Sequence, residues 1–140
     1  MSNAERFVEL FTERWREVNP SRFLDLFHPE GRFRHPGSTR MVSRNETPKY
    51  WARVKSLIPD IRLEPKAWAA KGDLVFIEWR ASGTLQGEAL EWEGVTRFIL
   101  RGDRAVEGAA YFDTLPLWAA IDPTMRRGDM LTTAASGSPS

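Results

Sequence analysis

Few residues of this 140-residue chain have side chains that can carry out chemistry, and each type limits what the protein can do. The chain has no cysteine, so it has no disulfide, no thiolate metal site and no thiol nucleophile. Its two histidines, His28 and His35, have no carboxylates beside them in a metal-binding pattern, so a metal site is not expected. Tyr50 and Tyr111 could each donate a hydrogen bond to a bound carbonyl group, although each is equally typical of a core boundary with its hydroxyl in water.

Basic side chains gather around one short segment. Residues 32–35 read RFRH, and this alternation places Phe33 and His35 on one side of a short strand that stops at Pro36. His35 is then either a reactive group or a histidine that packs and donates to a backbone carbonyl, whereas His28 belongs to a surface turn. Three nearby arginines could pair with an acidic ligand, but a solvated strand face is the ordinary interpretation: Arg32, Arg34 and Arg40.

Three helices are predicted to precede the main sheet. Residues 5–18 carry an apolar stripe at helical spacing, with charged residues on the other side. Asn19 is the predicted N-cap of a short second helix that ends in a turn at residues 28–31. The third helix has two possible starts, a capping box at Ser43 or a cap at Thr47 followed by proline.

Long strands joined by tight turns are predicted from residue 61 onward, because pairs such as Gly-Asp and Gln-Gly separate strand-like stretches. The predicted strands span residues 61–71, 74–85, 90–101 and 105–113, and a last helical turn spans 117–121. Helices followed by a meandering sheet describe one α+β domain over residues 5–121, with the helices on one face of a curved sheet. Residues 122–140 are small and polar and are predicted to form a flexible C-terminal tail.

The composition excludes several classes of protein. Hydrophobic residues make up 41% of the chain and aromatic residues 11%, which is enough for a self-sufficient core. The formal net charge is +1, so neither a nucleic acid nor an anionic membrane is an expected partner. The first residues lead into an amphipathic pattern and the sequence has no apolar run of membrane length, so no secretory signal is expected and a cytoplasmic protein is predicted.

Two segments carry a likeness to a known family: LFHPEGRFRHPG at residues 26–37 and YFDTLPL at residues 111–117. Over residues 7–121 the chain resembles the nuclear transport factor 2-like superfamily and, within it, the SnoaL-like polyketide cyclase and ketosteroid isomerase branch. The resemblance implies a conical α+β barrel of the cystatin-like type, with three N-terminal helices packed on a strongly curved antiparallel sheet. It also implies a deep apolar pocket, a homodimer through the outer sheet face, and no cofactor. The fold hosts many reactions, so it does not imply a particular one.

The resemblance also assigns candidate catalytic residues. Ketosteroid isomerases place a general base in an Asp-Pro pair where this chain has His35 and Pro36, and an imidazole suits proton abstraction at neutral pH. The same match puts Phe11 and Gly94 where those enzymes carry two oxyanion-binding groups, so steroid isomerisation is not expected. SnoaL-type cyclases use an acidic residue near the end of the last strand, where this chain has Asp113. Asp113 is thus the leading candidate acid or base, with His35 as assistant or alternative base; as the open alternative, Asp113 only caps a turn.

Epoxide hydrolases of the same fold use an Arg and an Asp two residues apart on a middle strand. The corresponding pair here is Glu78 and Arg80, but the family's pocket-facing positions fall on Trp79 and Ala81. The pair is therefore predicted to point outward as a cross-strand salt bridge.

Residues and resemblance together predict a pocket for a small, mostly apolar, carbonyl-bearing molecule. Proton transfer next to that carbonyl would make the protein a cofactor-independent cyclase or isomerase, of lyase or isomerase type. The alternative is a non-catalytic ligand-binding or dimerisation domain. The predicted pocket residues are aromatic: Phe11, Trp15, Phe33, Tyr50, Trp51, Trp79 and Tyr111.

Overall fold

The structure is a computed structural model that describes residues 1–122 and 124. Its helices and strands are α1 (Asn3–Arg16), β1 (Phe27–Arg34), β2 (Val42–Ser43), α2 (Thr47–Leu57), β3 (Arg62–Lys71), β4 (Leu74–Leu85), β5 (Glu88–Arg101), β6 (Arg104–Phe112) and α3 (Leu115–Ile121). Two short 3₁₀ helices precede β1 and α2: Pro20–Leu26 and Arg44–Glu46. Apart from residues 122 and 124, the predicted C-terminal tail lies outside the described residues.

Helix α1 starts two residues before the predicted start, because Ser2 and Glu5 form a capping box. The Ser2 hydroxyl accepts a hydrogen bond from the Glu5 backbone N–H at 3.0 Å, and the Glu5 carboxylate accepts one from the Ser2 N–H at 3.4 Å. Phe7, Phe11 and Trp15 of the predicted apolar stripe are buried. The helix ends at Arg16, two residues before the predicted end, and packs against the inner face of the sheet.

The six strands form one sheet in the order β2-β1-β6-β5-β4-β3. The four long strands follow the prediction, with ends that differ by at most two residues, and each is antiparallel to its neighbour. The expectation of a wholly antiparallel sheet needs one correction, because β1 runs parallel to β6. These two strands are far apart in the chain, and no turn between them marks their relative direction.

The second predicted helix is a 3₁₀ helix, and β1 begins at Phe27 rather than after the predicted turn. Asn19 caps the 3₁₀ helix as predicted, its side chain accepting from the Ser21 N–H at 3.2 Å. The turn-like residues 28–31 instead lie within β1, where the register against β6 shifts between Phe27 and Arg32. The proline and glycine of this segment thus mark an irregularity in the strand, not its absence.

Helix α2 starts at Thr47, one residue before the second predicted start, so Glu46 rather than Thr47 is its N-cap. Ser43 makes no side-chain cap and precedes the 3₁₀ helix instead. The Thr47 side chain is fully buried, and its hydroxyl donates to the Arg44 carbonyl at 2.7 Å. Among the described residues, no helix is long and apolar enough to span a membrane.

Candidate functional site

A cavity of about 640 Å³ lies between the concave face of the sheet and the helices. Strand side chains alternate between the two faces, so β4 contributes Trp79 and Ala81 to the wall and β6 contributes Ala110 and Phe112. Further rings come from the other elements, among them Phe23, Trp92, Phe98 and Trp118. Arg53 is the only charged side chain in the described part of the wall, which is otherwise largely aromatic and aliphatic.

Six of the seven aromatic residues predicted to line a pocket lie in this wall: Phe11, Trp15, Phe33, Tyr50, Trp51 and Trp79. Tyr111 does not line this cavity but lines the smaller hollow that adjoins it. Its side chain is 48% exposed on the outer face, because its neighbours Ala110 and Phe112 occupy the inward positions of β6. The Tyr111 hydroxyl accepts a hydrogen bond at 2.6 Å from Nη2 of Arg34.

Three of the wall residues form a ring cluster that joins three helical segments. The ring of Trp15 on α1 lies 5.0 Å from that of Trp51 on α2, in an edge-to-face arrangement. Phe23 of the first 3₁₀ helix lies 4.8 Å from Trp15 and 5.3 Å from Trp51. Such contacts between rings stabilise the fold by more than the burial of their surface area alone, so they help to hold the helices in place around the cavity.

Trp79 and Thr96 form a hydrogen bond inside the wall. The Trp79 Nε1–H donates to the Thr96 hydroxyl oxygen at 2.9 Å, and the two side chains are 4% and 5% exposed. Trp79 lies opposite Gly94 in the β4–β5 register, and a Cβ on Gly94 would come within 2.8 Å of the indole. Only glycine, which has no Cβ, therefore leaves room for the indole at this position. Sequence reasoning missed Thr96, whose one indication was its inward phase, shared with Trp92 and Phe98 on β5.

His35 lies beside this cavity in a smaller hollow of about 340 Å³, which shares Pro36, Ala110 and Phe112 with the cavity wall. Its imidazole stacks on the Tyr50 ring with centroids 3.4 Å apart. The His35 Nδ1 atom is buried and has no hydrogen-bond partner among the described residues. Burial lowers the pKa of His35 from 6.5 to about 4, so the imidazole is neutral at neutral pH.

This low pKa predicts that acid destabilises the fold through His35. As the pH falls from about 6.5 to about 4, the unfolded chain takes up a proton at His35 and the folded chain does not. Stability contributed by the neutral imidazole is therefore present above pH 6.5 and is lost across this window. Urea unfolding of the wild type and His35→Gln at several pH values measures it, with the wild type expected to lose more. His28→Gln is the matched control for loss of an imidazole, and equal losses in wild type and His35→Gln would contradict the prediction.

Asp113 is not in the described wall of the cavity. It follows the end of β6, is exposed, and its Oδ1 accepts a hydrogen bond from the Leu115 N–H at 2.9 Å. This is the turn-capping geometry left open as the alternative, here at the start of α3. Thr114, one residue on, does line the cavity. The structure therefore does not bring Asp113 and His35 together on one cavity wall.

The charged pair of β4 lies on the outer face, as predicted, but the salt bridge has a different partner. Arg80 pairs with Glu93 on β5 at 3.9 Å, with both side chains more than half exposed, and Glu78 is likewise exposed. Trp79 and Ala81, which alternate with Glu78 and Arg80 along β4, point inward to the cavity. Such an exposed pair contributes little to stability, and it offers no arginine or carboxylate to the cavity.

No three His, Asp or Glu side chains of the described residues gather closely enough to hold a metal ion. In the cavity wall, the ionisable side chains are limited to Tyr50 and Arg53 over the same residues. Burial raises the pKa of Tyr50, which keeps its hydroxyl protonated and able to donate. The main cavity is thus equipped to enclose an apolar molecule and to donate hydrogen bonds, and its described wall carries no carboxylate or imidazole.

A curved six-stranded sheet with helices closing an apolar cavity defines the class of α+β barrels called nuclear transport factor 2-like or ketosteroid isomerase-like. The chain belongs to the SnoaL-like domain family, whose family model matches residues 4–108. The resemblance and the fold class predicted from the sequence are both confirmed. A comparison with curated proteins finds no match.

Solved structures share the fold at low sequence identity. AclR from Streptomyces galilaeus, described as a candidate hydroxylase, is 19% identical with a TM-score of 0.79, covering 97% of this chain and 92% of its own. An NTF2-like protein of unknown function from Burkholderia pseudomallei K96243 is 21% identical with a TM-score of 0.77, covering 87% and 99%. A candidate SnoaL-like polyketide cyclase from Jannaschia sp. CCS1 is 20% identical with a TM-score of 0.74, covering 85% and 90%.

Proposed function

We propose that this protein binds a small, largely apolar, carbonyl-bearing molecule in the barrel cavity. The observation that carries the proposal is the cavity itself, about 640 Å³ of space with an aromatic and aliphatic wall. This volume lies within the roughly 300–1,000 Å³ typical of small-molecule sites. Membership of the SnoaL-like family, with candidate polyketide cyclases among its structural neighbours, supports a ring-containing ligand with oxygen substituents.

Ligand binding in the cavity can be followed by tryptophan fluorescence, because five of the six tryptophans line the cavity: Trp15, Trp51, Trp79, Trp92 and Trp118. A ring ligand such as 2-acetylnaphthalene would lie against several of these indoles and change their fluorescence. Titration of the protein with 2-acetylnaphthalene is therefore the direct test, with isothermal calorimetry as the second measurement. We expect saturable quenching at one site per chain.

Filling the cavity should weaken ligand binding. Ala110 lies in the wall, so Ala110→Phe adds a ring to the space that the ligand needs. We expect at least about a tenfold loss of affinity for 2-acetylnaphthalene, since an overfilled site must shift its neighbours to admit the probe. Ala69→Phe makes the same substitution at an exposed position of β3 and is the matched control. Equal affinities for the two folded variants, or no saturable binding by the wild type, would overturn the proposal.

The second candidate function is proton transfer next to a carbonyl group, giving cyclisation or isomerisation. The observation that favours it is the imidazole of His35 in the wall of the adjoining hollow, which shares Pro36, Ala110 and Phe112 with the cavity. In this reaction His35 would take a proton from the carbon beside the carbonyl and return it at another position. Asp113 is given no part in this step, because it lies outside the described walls of the cavity and the hollow.

Deuterium exchange distinguishes binding from proton transfer with the same probe. In D₂O, a proton-transfer catalyst would replace the methyl hydrogens of 2-acetylnaphthalene by deuterium, which mass spectrometry detects. The second function requires exchange by the wild type and its loss in His35→Gln at undiminished binding. Binding without exchange leaves the ligand-binding function alone. A homodimer through the outer sheet face and a cytoplasmic location stay predictions.

A further inference from the structure

The hydroxyl of Thr96 has hydrogen-bonding capacity that the protein leaves unused. An indole N–H can only donate, so the 2.9 Å contact with Trp79 makes the Thr96 oxygen the acceptor. A threonine hydroxyl also has one hydrogen to donate, and the described residues show no acceptor for it. Thr96 is 5% exposed and lies in the cavity wall, so this hydrogen faces buried space rather than bulk water.

The hydroxyl of Thr96 is oriented by Trp79, which is itself held by its neighbours. Trp79 lies opposite Gly94 and reaches diagonally to Thr96, two residues along the same strand. The ring of Phe112 packs edge-on against the indole with centroids 5.4 Å apart, and this contact helps to hold the indole beside Thr96. With its oxygen held by Trp79, the hydroxyl retains one free lone pair and its hydrogen for another partner.

Thr96 differs from the other hydroxyl groups of the wall. Tyr50 and Thr114 are only partly buried, whereas Thr96 is the one buried hydroxyl among the described wall residues. A donor that is only 5% exposed is shielded from bulk water, so it forms a stronger hydrogen bond with an acceptor atom on a bound molecule than an exposed hydroxyl would. An apolar molecule of the same shape gains nothing there.

We propose that Thr96 is the specificity-determining residue of the cavity, donating a hydrogen bond to a carbonyl oxygen of the ligand, and that Trp79 is its positioning residue. This inference rests on the proposed function, because it requires a ligand in the barrel cavity. It adds a chemical class: a flat apolar molecule with an acceptor oxygen on the portion that faces β4 and β5. It also gives a role to the gap at Gly94, since the indole can reach Thr96 only across that position.

A pair of isosteric probes tests the inference. 2-Acetylnaphthalene presents a carbonyl oxygen, and 2-isopropenylnaphthalene replaces that oxygen by a CH₂ group of similar size. Thr96→Val keeps the shape of the side chain and removes the donor, whereas Thr96→Ser keeps the donor. We expect Thr96→Val to weaken binding of the ketone by roughly 3- to 10-fold relative to the hydrocarbon, the range for one hydrogen bond. Thr96→Ser should keep most of the preference.

A spectroscopic measurement separates hydrogen bonding from a structural effect. The carbonyl stretch of bound 2-acetylnaphthalene should lie at lower frequency in the wild type than in Thr96→Val. Trp79→Phe, which releases the hydroxyl, should reduce the wild-type shift. If both probes lose affinity equally in Thr96→Val, or the stretch does not move, the role of Thr96 is wrong while the proposed function stands. If neither probe binds the wild type, the proposed function fails.

Discussion

Phe98→Ala is expected to lower the free energy of unfolding by about 3–5 kcal/mol, the range for removing a large buried aromatic ring. Phe98 is 2% exposed at the centre of the inner sheet face. Its ring lies 4.6 Å from Phe7 and 5.8 Å from Phe11 of α1, and 6.5 Å from Phe27 of β1. Loss of this ring removes the contact through which the first helix and the first strand meet the middle of the sheet.

Urea unfolding followed by circular dichroism measures this loss. Phe76→Ala is the matched control, because Phe76 is 41% exposed on the outer face of β4 and its removal leaves no internal cavity. We expect it to cost about 1 kcal/mol or less, in keeping with a partly exposed site. Similar losses for the two variants, compared at one protein concentration, would show that Phe98 does not join the helix to the sheet.

Gly94→Ala should destabilise the fold through a single added methyl group. Its Cβ would come within 2.7 Å of both the Tyr111 carbonyl oxygen and the Phe112 Cβ, and within 2.8 Å of the Trp79 ring. Real Cβ atoms do not approach so closely, so β6 or the indole must shift. Overpacking of this kind costs about 1–3 kcal/mol, and here it would also disturb the Trp79–Thr96 hydrogen bond.

Thermal unfolding and tryptophan fluorescence together test the role of Gly94. Glu93→Ala changes the neighbouring residue, whose exposed side chain points to the other face, and is expected to be close to neutral. Gly94→Ala should lower the melting temperature and alter the emission of the buried indole. A variant with wild-type stability and emission would mean that β5 and β6 separate easily at this point.

The long strands could be predicted because the sequence signals that define them lie within and next to each strand. Glycine turns with positive φ at Gly72, Gly87 and Gly102 separate the alternating stretches, and the strand ends match to within two residues. The direction of β1 could not be predicted this way, because its partner β6 lies far away in the chain. The 3₁₀ form of the second helix was also missed, since a proline start and apolar spacing suit either helix type over one or two turns.

The residues of the candidate site likewise include some that could be predicted from local sequence and some that depend on distant contacts. The aromatic wall could be predicted, because the inward phase of helices and strands is periodic. Tyr111 lines the adjoining hollow rather than the cavity, because one step along a strand reverses the face and the resemblance indicated its segment only. Thr96 was missed because its significance depends on Trp79, which reaches it only through the β4–β5 register.

The parallel pairing of β1 with β6 has a consequence for the order of folding. Strands β3 to β6 can form by successive hairpins between neighbours, which close only short loops. The β1–β6 ladder must instead close a loop from Phe27 to Ala105. During synthesis, Phe7 and Phe11 emerge long before Phe98, the ring on which they pack. The N-terminal helices therefore remain without this apolar partner until most of the chain has left the ribosome, and the β1–β6 ladder can form only after β6 has been synthesised.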